Sequence, residues 1–111
     1  MRQPSSPPDF APLVEPDHLG NIVVTPFGDL DAASSPALVE AIRPVVSGAP
    51  KRVVIDLGSV TFLDSCGCAA LVTGCRDAQA SGVLVSLDGD MAPIVERVLG
   101  MTGLRAIFDP V

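Results

Sequence analysis

Along the chain, short runs of β-branched and aliphatic residues alternate with longer stretches in which apolar positions recur at helical spacing. Asn21 to Thr25 (NIVVT), after Gly20, predicts a strand, and an edge strand is expected before it around Pro12 to Glu15. Gly28-Asp29-Leu30-Asp31 reads as a turn at Gly28, and Asp31, Ser34 or Ser35 can cap a helix after it. Leu38, Ala41, Ile42 and Val45 fall at i, i+3, i+4 and i+7, one face of that helix. Pro36 suits its start, and Pro44 should kink or shorten its end. Arg52 to Leu57 (RVVIDL) is the strongest strand signal, and an apolar β run after a helix predicts a central, buried place. Phe62-Leu63 leads into Asp64-Ser65, a helix start, with Cys68, Leu71, Val72 and Cys75 on the apolar face. Val83 to Leu87 is a further strand. A third helix is expected with Asp90 as cap, Pro93 in its first turn, Ile94, Val98 and Met101 facing the core, and Gly103 as its stop. Ala106 to Phe108 would add a last short strand.

Two strand–helix–strand crossovers imply a parallel portion with right-handed connections, while the early strands can pair antiparallel. The expectation is an α/β fold: a mixed β-sheet with its helices packed mainly on one face.

Composition sharpens this picture. A chain of 111 residues supports one domain. It is 48% hydrophobic but has four Phe and neither Trp nor Tyr, so its core must be Val, Leu, Ile and Ala. Residues 1–12, rich in Pro and Ser, have little to bury and predict a disordered tail; residues 13–111 form the domain. The net charge of −6, with seven scattered cationic residues, leaves no basic stripe for nucleic acid and favours a partner with a basic face. No apolar run reaches transmembrane length and the N-terminus lacks the apolar middle of a signal peptide, so no membrane insertion and a cytoplasmic location are expected. Three cysteines cannot complete a disulfide framework and are read as thiols.

The chemistry available is sparse. Asp64-Ser65 is not a hydrolytic triad: His18 is the sole histidine, and no Gly-x-Ser-x-Gly elbow occurs. Cys66-Gly67-Cys68 lacks the second ligand pair that zinc needs. No catalytic residue, metal or cofactor is expected. Ser65 by itself could be only a helix cap; it also sits where free backbone N–H groups favour an added phosphate.

Phe62-Leu63-Asp64-Ser65-Cys66-Gly67 resembles the strand, Asp-Ser-Ser/Thr-Gly, helix signature of STAS-domain anti-sigma-factor antagonists. Gly28-Asp29-Leu30-Asp31 resembles that family's Gly-Glu-Leu-Asp turn, and Val95 to Leu99 with Met101-Thr102-Gly103-Leu104 resembles its third helix and the end of it. The segments stand in family order across roughly residues 15 to 109. Cys66 replaces the usual Ser or Thr, and Cys68 a frequent Leu.

The resemblance implies a partner switch. The unphosphorylated protein would bind an anti-sigma factor that is also a serine kinase, releasing sigma factor. Phosphorylation of Ser65 would end the interaction, and a serine phosphatase would restore it. Asp29, Asp31, Asp64, Ser65, Cys66 and Gly67 would form the partner-binding surface. Rival readings are a STAS regulatory or assembly subunit of a membrane transporter, and a STAS domain sensing a small ligand. Cys68 and Cys75 should be buried and inert. Cys66, about 200° around the helix from Cys68, should face solvent in the first turn and is a candidate redox site.

Overall fold

The computed structural model describes residues 11–110. The first ten residues of the expected tail lie outside them. Strands β1 (Leu13–Pro16) and β2 (Ile22–Thr25) form an antiparallel pair. The turn between them closes on Asp17, whose carboxylate accepts the backbone N–H groups of Leu19 at 2.8 Å and Asn21 at 2.9 Å. Strands β4 (Arg52–Asp56) and β6 (Leu84–Asp88) continue the sheet in parallel, giving the order β1-β2-β4-β6. The RVVIDL run thus takes the interior position expected of it, with Val53, Val54 and Ile55 all buried.

Gly28–Leu30 is a strand, β3, rather than only a turn. It pairs in parallel with β5 (Val60–Leu63) in a separate two-stranded unit. Gly28 still bends the chain, at φ +74°, and the register shifts between Gly28 and Asp29.

Helices α1 (Ser35–Ser47) and α2 (Ser65–Ala80) supply Leu38, Ile42, Leu71, Cys75 and Ala78 to one buried cluster with Val24, Val53, Ile55 and Val85. Full burial of each such aliphatic side chain is worth about 1.5–3 kcal/mol. The helices approach closely at Gly74, where an added Cβ would lie 2.7 Å from Ile42 Cδ1. Pro44 does not shorten α1. The carbonyl that loses its N–H donor is that of exposed Glu40, where water can serve.

Three expectations for the C-terminal part are corrected. Helix α3 (Pro93–Thr102) buries Val95 and Leu99, whereas Ile94 is 40% and Met101 79% exposed; of the expected face only Val98 is partly buried. Its N-cap is Ala92, so Asp90 does not cap it. Ala106 to Phe108 is no strand: Leu104–Ile107 is a single 3-10 turn after the left-handed Gly103. The Ile107 carbonyl is held by Gln79 Nε2 at 3.0 Å and Cys75 Sγ at 3.5 Å, which keeps the segment against α2.

On the sheet face opposite α1 and α2, Val54 and Ser86 are themselves buried. Arg52 lies across it, donating to Ser86 Oγ and, at 2.8 Å, to the Pro110 carbonyl. A groove of about 680 Å³ on this side, lined by Asp17, His18, Val23, Arg52, Val54 and Asp56 among others, mixes both charge signs and includes none of Asp29, Asp31, Asp64, Ser65, Cys66 and Gly67.

Candidate functional site

Two parallel strands carry the sequence-selected residues to one place. β3 and β5 pair with Asp29 opposite Phe62 and Leu30 opposite Leu63. The chain leaving β3 therefore runs beside the chain entering α2. Asp64 N–H donates to the Leu30 carbonyl at 3.3 Å, and Thr61 Oγ1 donates to Asp29 Oδ1 at 2.7 Å.

Gly67 explains why the approach is possible. It is buried, and a Cβ there would sit 2.3 Å from the Leu30 carbonyl oxygen and 2.6 Å from Leu63 Cδ1. No other residue type fits without moving β3 away from the start of α2. Gly67 thus positions the site from beneath and is not part of its exposed surface.

Asp64 is the cap of α2. Its backbone is extended and its Oδ1 accepts the Gly67 N–H at 3.0 Å. Ser65 is the first helical residue and does not cap. Its side chain is exposed, and its hydroxyl has no hydrogen bond among the described residues. With the Gly67 N–H taken by Asp64, the N–H groups of Ser65 and Cys66 remain as the helix's open donors. Cys66 is exposed, as expected.

The turn after β3 is locked. Ser34, 5% exposed, accepts the Asp31 N–H at 3.0 Å and donates to the Asp29 carbonyl at 2.6 Å. Asp31 Oδ1 accepts the N–H groups of Ala33 at 3.1 Å and Ser34 at 3.2 Å. Asp31 is thereby committed to turn geometry, while Asp29 is exposed beside Thr61.

Sequence reasoning passed over Ser34 as a lock, Thr61, and two exposed aromatics, Phe27 at 45% and Phe62 at 42%. The break in alternation across β5, buried–exposed–exposed–buried, brings Thr61 and Phe62 both to the surface. Among the described residues no group of three or more His, Cys, Asp and Glu side chains could hold a metal ion, and no helix is long and apolar enough to cross a membrane.

A mixed sheet, helices gathered against one face, and an acidic turn clamped beside the start of a serine-bearing helix define a class of small α/β domain. The STAS domain model matches residues 13–111, and the chain belongs to that family. Over 62 residues it is 42% identical to the anti-sigma-F factor antagonist RsfB of Mycobacterium tuberculosis, a match covering 56% of this chain and 51% of that protein. The chain thus spans about half the length of the curated relatives it matches. A crystal structure of an anti-sigma factor antagonist from Mycobacterium paratuberculosis is similar at 38% identity, covering 93% of this chain and 86% of that one, with a TM-score of 0.72. The anti-sigma factor antagonist SpoIIAA in its unphosphorylated form shares the fold at 21% identity and TM-score 0.63, covering 82% of this chain and 83% of that one.

Proposed function

We propose that this protein is a cytoplasmic anti-sigma-factor antagonist, a binding protein rather than a catalyst, switched by phosphorylation of Ser65. The observation that carries the reading is the state of Ser65: exposed and unbonded in the first turn of a helix already capped by its neighbour. The names borne by the relatives from two mycobacteria support the partner class, an anti-sigma factor. That partner is taken to be a serine kinase, with a serine phosphatase reversing its action.

The physical consequences come from the geometry. Phosphate adds a charge of about −1.5 to −2. The free N–H groups of Ser65 and Cys66 can accommodate it, so the fold need not change. The Asp64 carboxylate stands next to it, and a partner face shaped for a hydroxyl meets bulk and added negative charge. Asp29, Asp64 and the half-exposed Asp31 call for a basic partner face, and Phe27 and Phe62 offer apolar anchors beside them.

Incubation with the cognate kinase and ATP, with peptide mass mapping of the product, tests the site. One phosphate on Ser65, and none on a Ser65→Ala protein, is expected. Phosphate on another residue, or a fully phosphorylated Ser65→Ala protein, overturns the assignment.

A further inference from the structure

We propose that Thr61 is a positioning residue of the partner surface: its hydroxyl holds the Asp29 carboxylate in one orientation, ready for a cationic side chain of the anti-sigma factor. The partner half of this inference rests on the proposed switch.

The local cause is an irregularity in the pairing of β3 with β5. Gly28 is in register with Val60 and Asp29 with Phe62, so Thr61 is an extra residue without a register partner. Two residues of one strand then oppose one of the other, the arrangement of a β-bulge, which re-aims side chains. In an unbroken strand Thr61 would point with Leu63 into the core. Instead Val60 and Leu63 are buried, and Thr61 and Phe62 are both exposed. The bulge thus brings the Thr61 hydroxyl to the Asp29 side, where Oγ1 donates to Asp29 Oδ1 at 2.7 Å.

This bond differs from its neighbours in what it holds. The Ser34 and Asp31 side chains bond backbone groups and so fix the path of the turn. The Thr61 hydroxyl bonds a side chain, and both residues are exposed. Water competes for such a bond, so it adds little to stability. Its effect falls on the Asp29 rotamer. The Asp29 backbone is already fixed by pairing with β5 and by the Ser34 hydroxyl, which donates to its carbonyl at 2.6 Å. What remains to be set is the direction of the side chain, and Thr61 sets it.

The carboxylate so held is left without a counter-charge. Asp29 Oδ2 has no hydrogen bond, and no Lys or Arg pairs with Asp29, among the described residues. Asp31, two residues on, adds negative charge, so an anion is disfavoured and a cation favoured. An unrestrained side chain divides itself among three staggered rotamers, so holding the productive one is worth about threefold in affinity.

The test titrates the unphosphorylated full chain with the cognate anti-sigma factor by calorimetry. Thr61→Val keeps the β-branched shape that suits a strand and loses the hydroxyl. It should bind at least about threefold more weakly, while Thr61→Ser, which keeps the hydroxyl, should match the native chain. Thr61→Val retains the Asp29 charge, so the salt dependence of binding should be unchanged, whereas Asp29→Asn should lower it. Added to Asp29→Asn, Thr61→Val should cost less than about twofold, because the two act through one contact. Denaturant midpoints of Thr61→Val and the native chain should coincide. Unchanged affinity in Thr61→Val, a Thr61→Ser chain equally weak, a salt dependence altered as in Asp29→Asn, an undiminished loss in the Asp29→Asn chain, or a midpoint that falls with the affinity overturns the proposal. A readout without partner is the Asp29 Hα–Hβ coupling by NMR. It should report one rotamer in the native and Thr61→Ser chains and averaging in Thr61→Val; the same pattern in all three overturns the proposal. If the unphosphorylated chain does not bind the anti-sigma factor at all, the switch reading fails, while the couplings still decide whether Thr61 positions Asp29.

Discussion

At the start of α1, the half-exposed Asp31 accepts the turn's own N–H groups, both Ser34 and Ser35 are buried, and the Ser34 hydroxyl is bonded on either side. At the start of α2, Asp64 alone does the capping, and Ser65 and Cys66 stand in solvent. The same residue types, Asp and Ser ahead of a helix, hold a turn together in one place and present a hydroxyl in the other. The difference lies in what each strand delivers. β3 ends against the start of α2, so the turn after it must be rigid for the two to fit. The start of α2 is supported from beneath by Gly67, and its outer side is free to meet a partner.

Mutations can break this contrast in graded steps. The largest loss is expected for Gly67→Ala. Its Cβ would press on a backbone carbonyl, and denaturant unfolding should show destabilisation of about 3 kcal/mol. Gly100→Ala, where nothing lies within 4 Å, is the matched control and should be neutral or slightly stabilising. Ser34→Ala leaves the Asp31 N–H and the Asp29 carbonyl without their shared partner and should cost about 2 kcal/mol. Asp64→Ala removes only a cap and should cost about 1 kcal/mol, read from the same unfolding curves. Ser65→Ala and Cys66→Ser touch exposed side chains and should each change stability by less than about 0.5 kcal/mol. Equal losses at Ser34 and Ser65 would remove the distinction between the two helix starts.

Much of the fold was legible because its signals are local. The β-branched run at Arg52 to Leu57 left little choice but a central strand. Asp64 ahead of a periodic stretch marked the start of α2, and Gly103 marked the end of α3. The inward face of α3 was not legible for a physical reason. Ile94, Val95, Val98, Leu99 and Met101 spread over an arc of about 160° of that short helix, so periodicity does not say which edge of the arc faces inward. Packing against β5 and the 3-10 turn chooses Val95 and Leu99. Ala106 to Phe108 carries an apolar pattern short enough for either conformation, and its docking on Gln79 and Cys75 decides for a turn. At the site, the order of Asp64, Ser65 and Gly67 was readable from the motif. The commitment of Asp31 and Ser34 to each other was not, because it depends on where the Asp29 carbonyl points once β3 has paired with β5.

Calorimetric titration of the cognate anti-sigma factor, with unmodified protein and with protein phosphorylated on Ser65, tests the central claim most directly. The account predicts a penalty of about 3–4 kcal/mol, a weakening of several hundredfold, with unchanged unfolding behaviour of the phosphorylated chain. Equal affinity of the two forms, or a loss of binding that tracks a loss of fold, would contradict it.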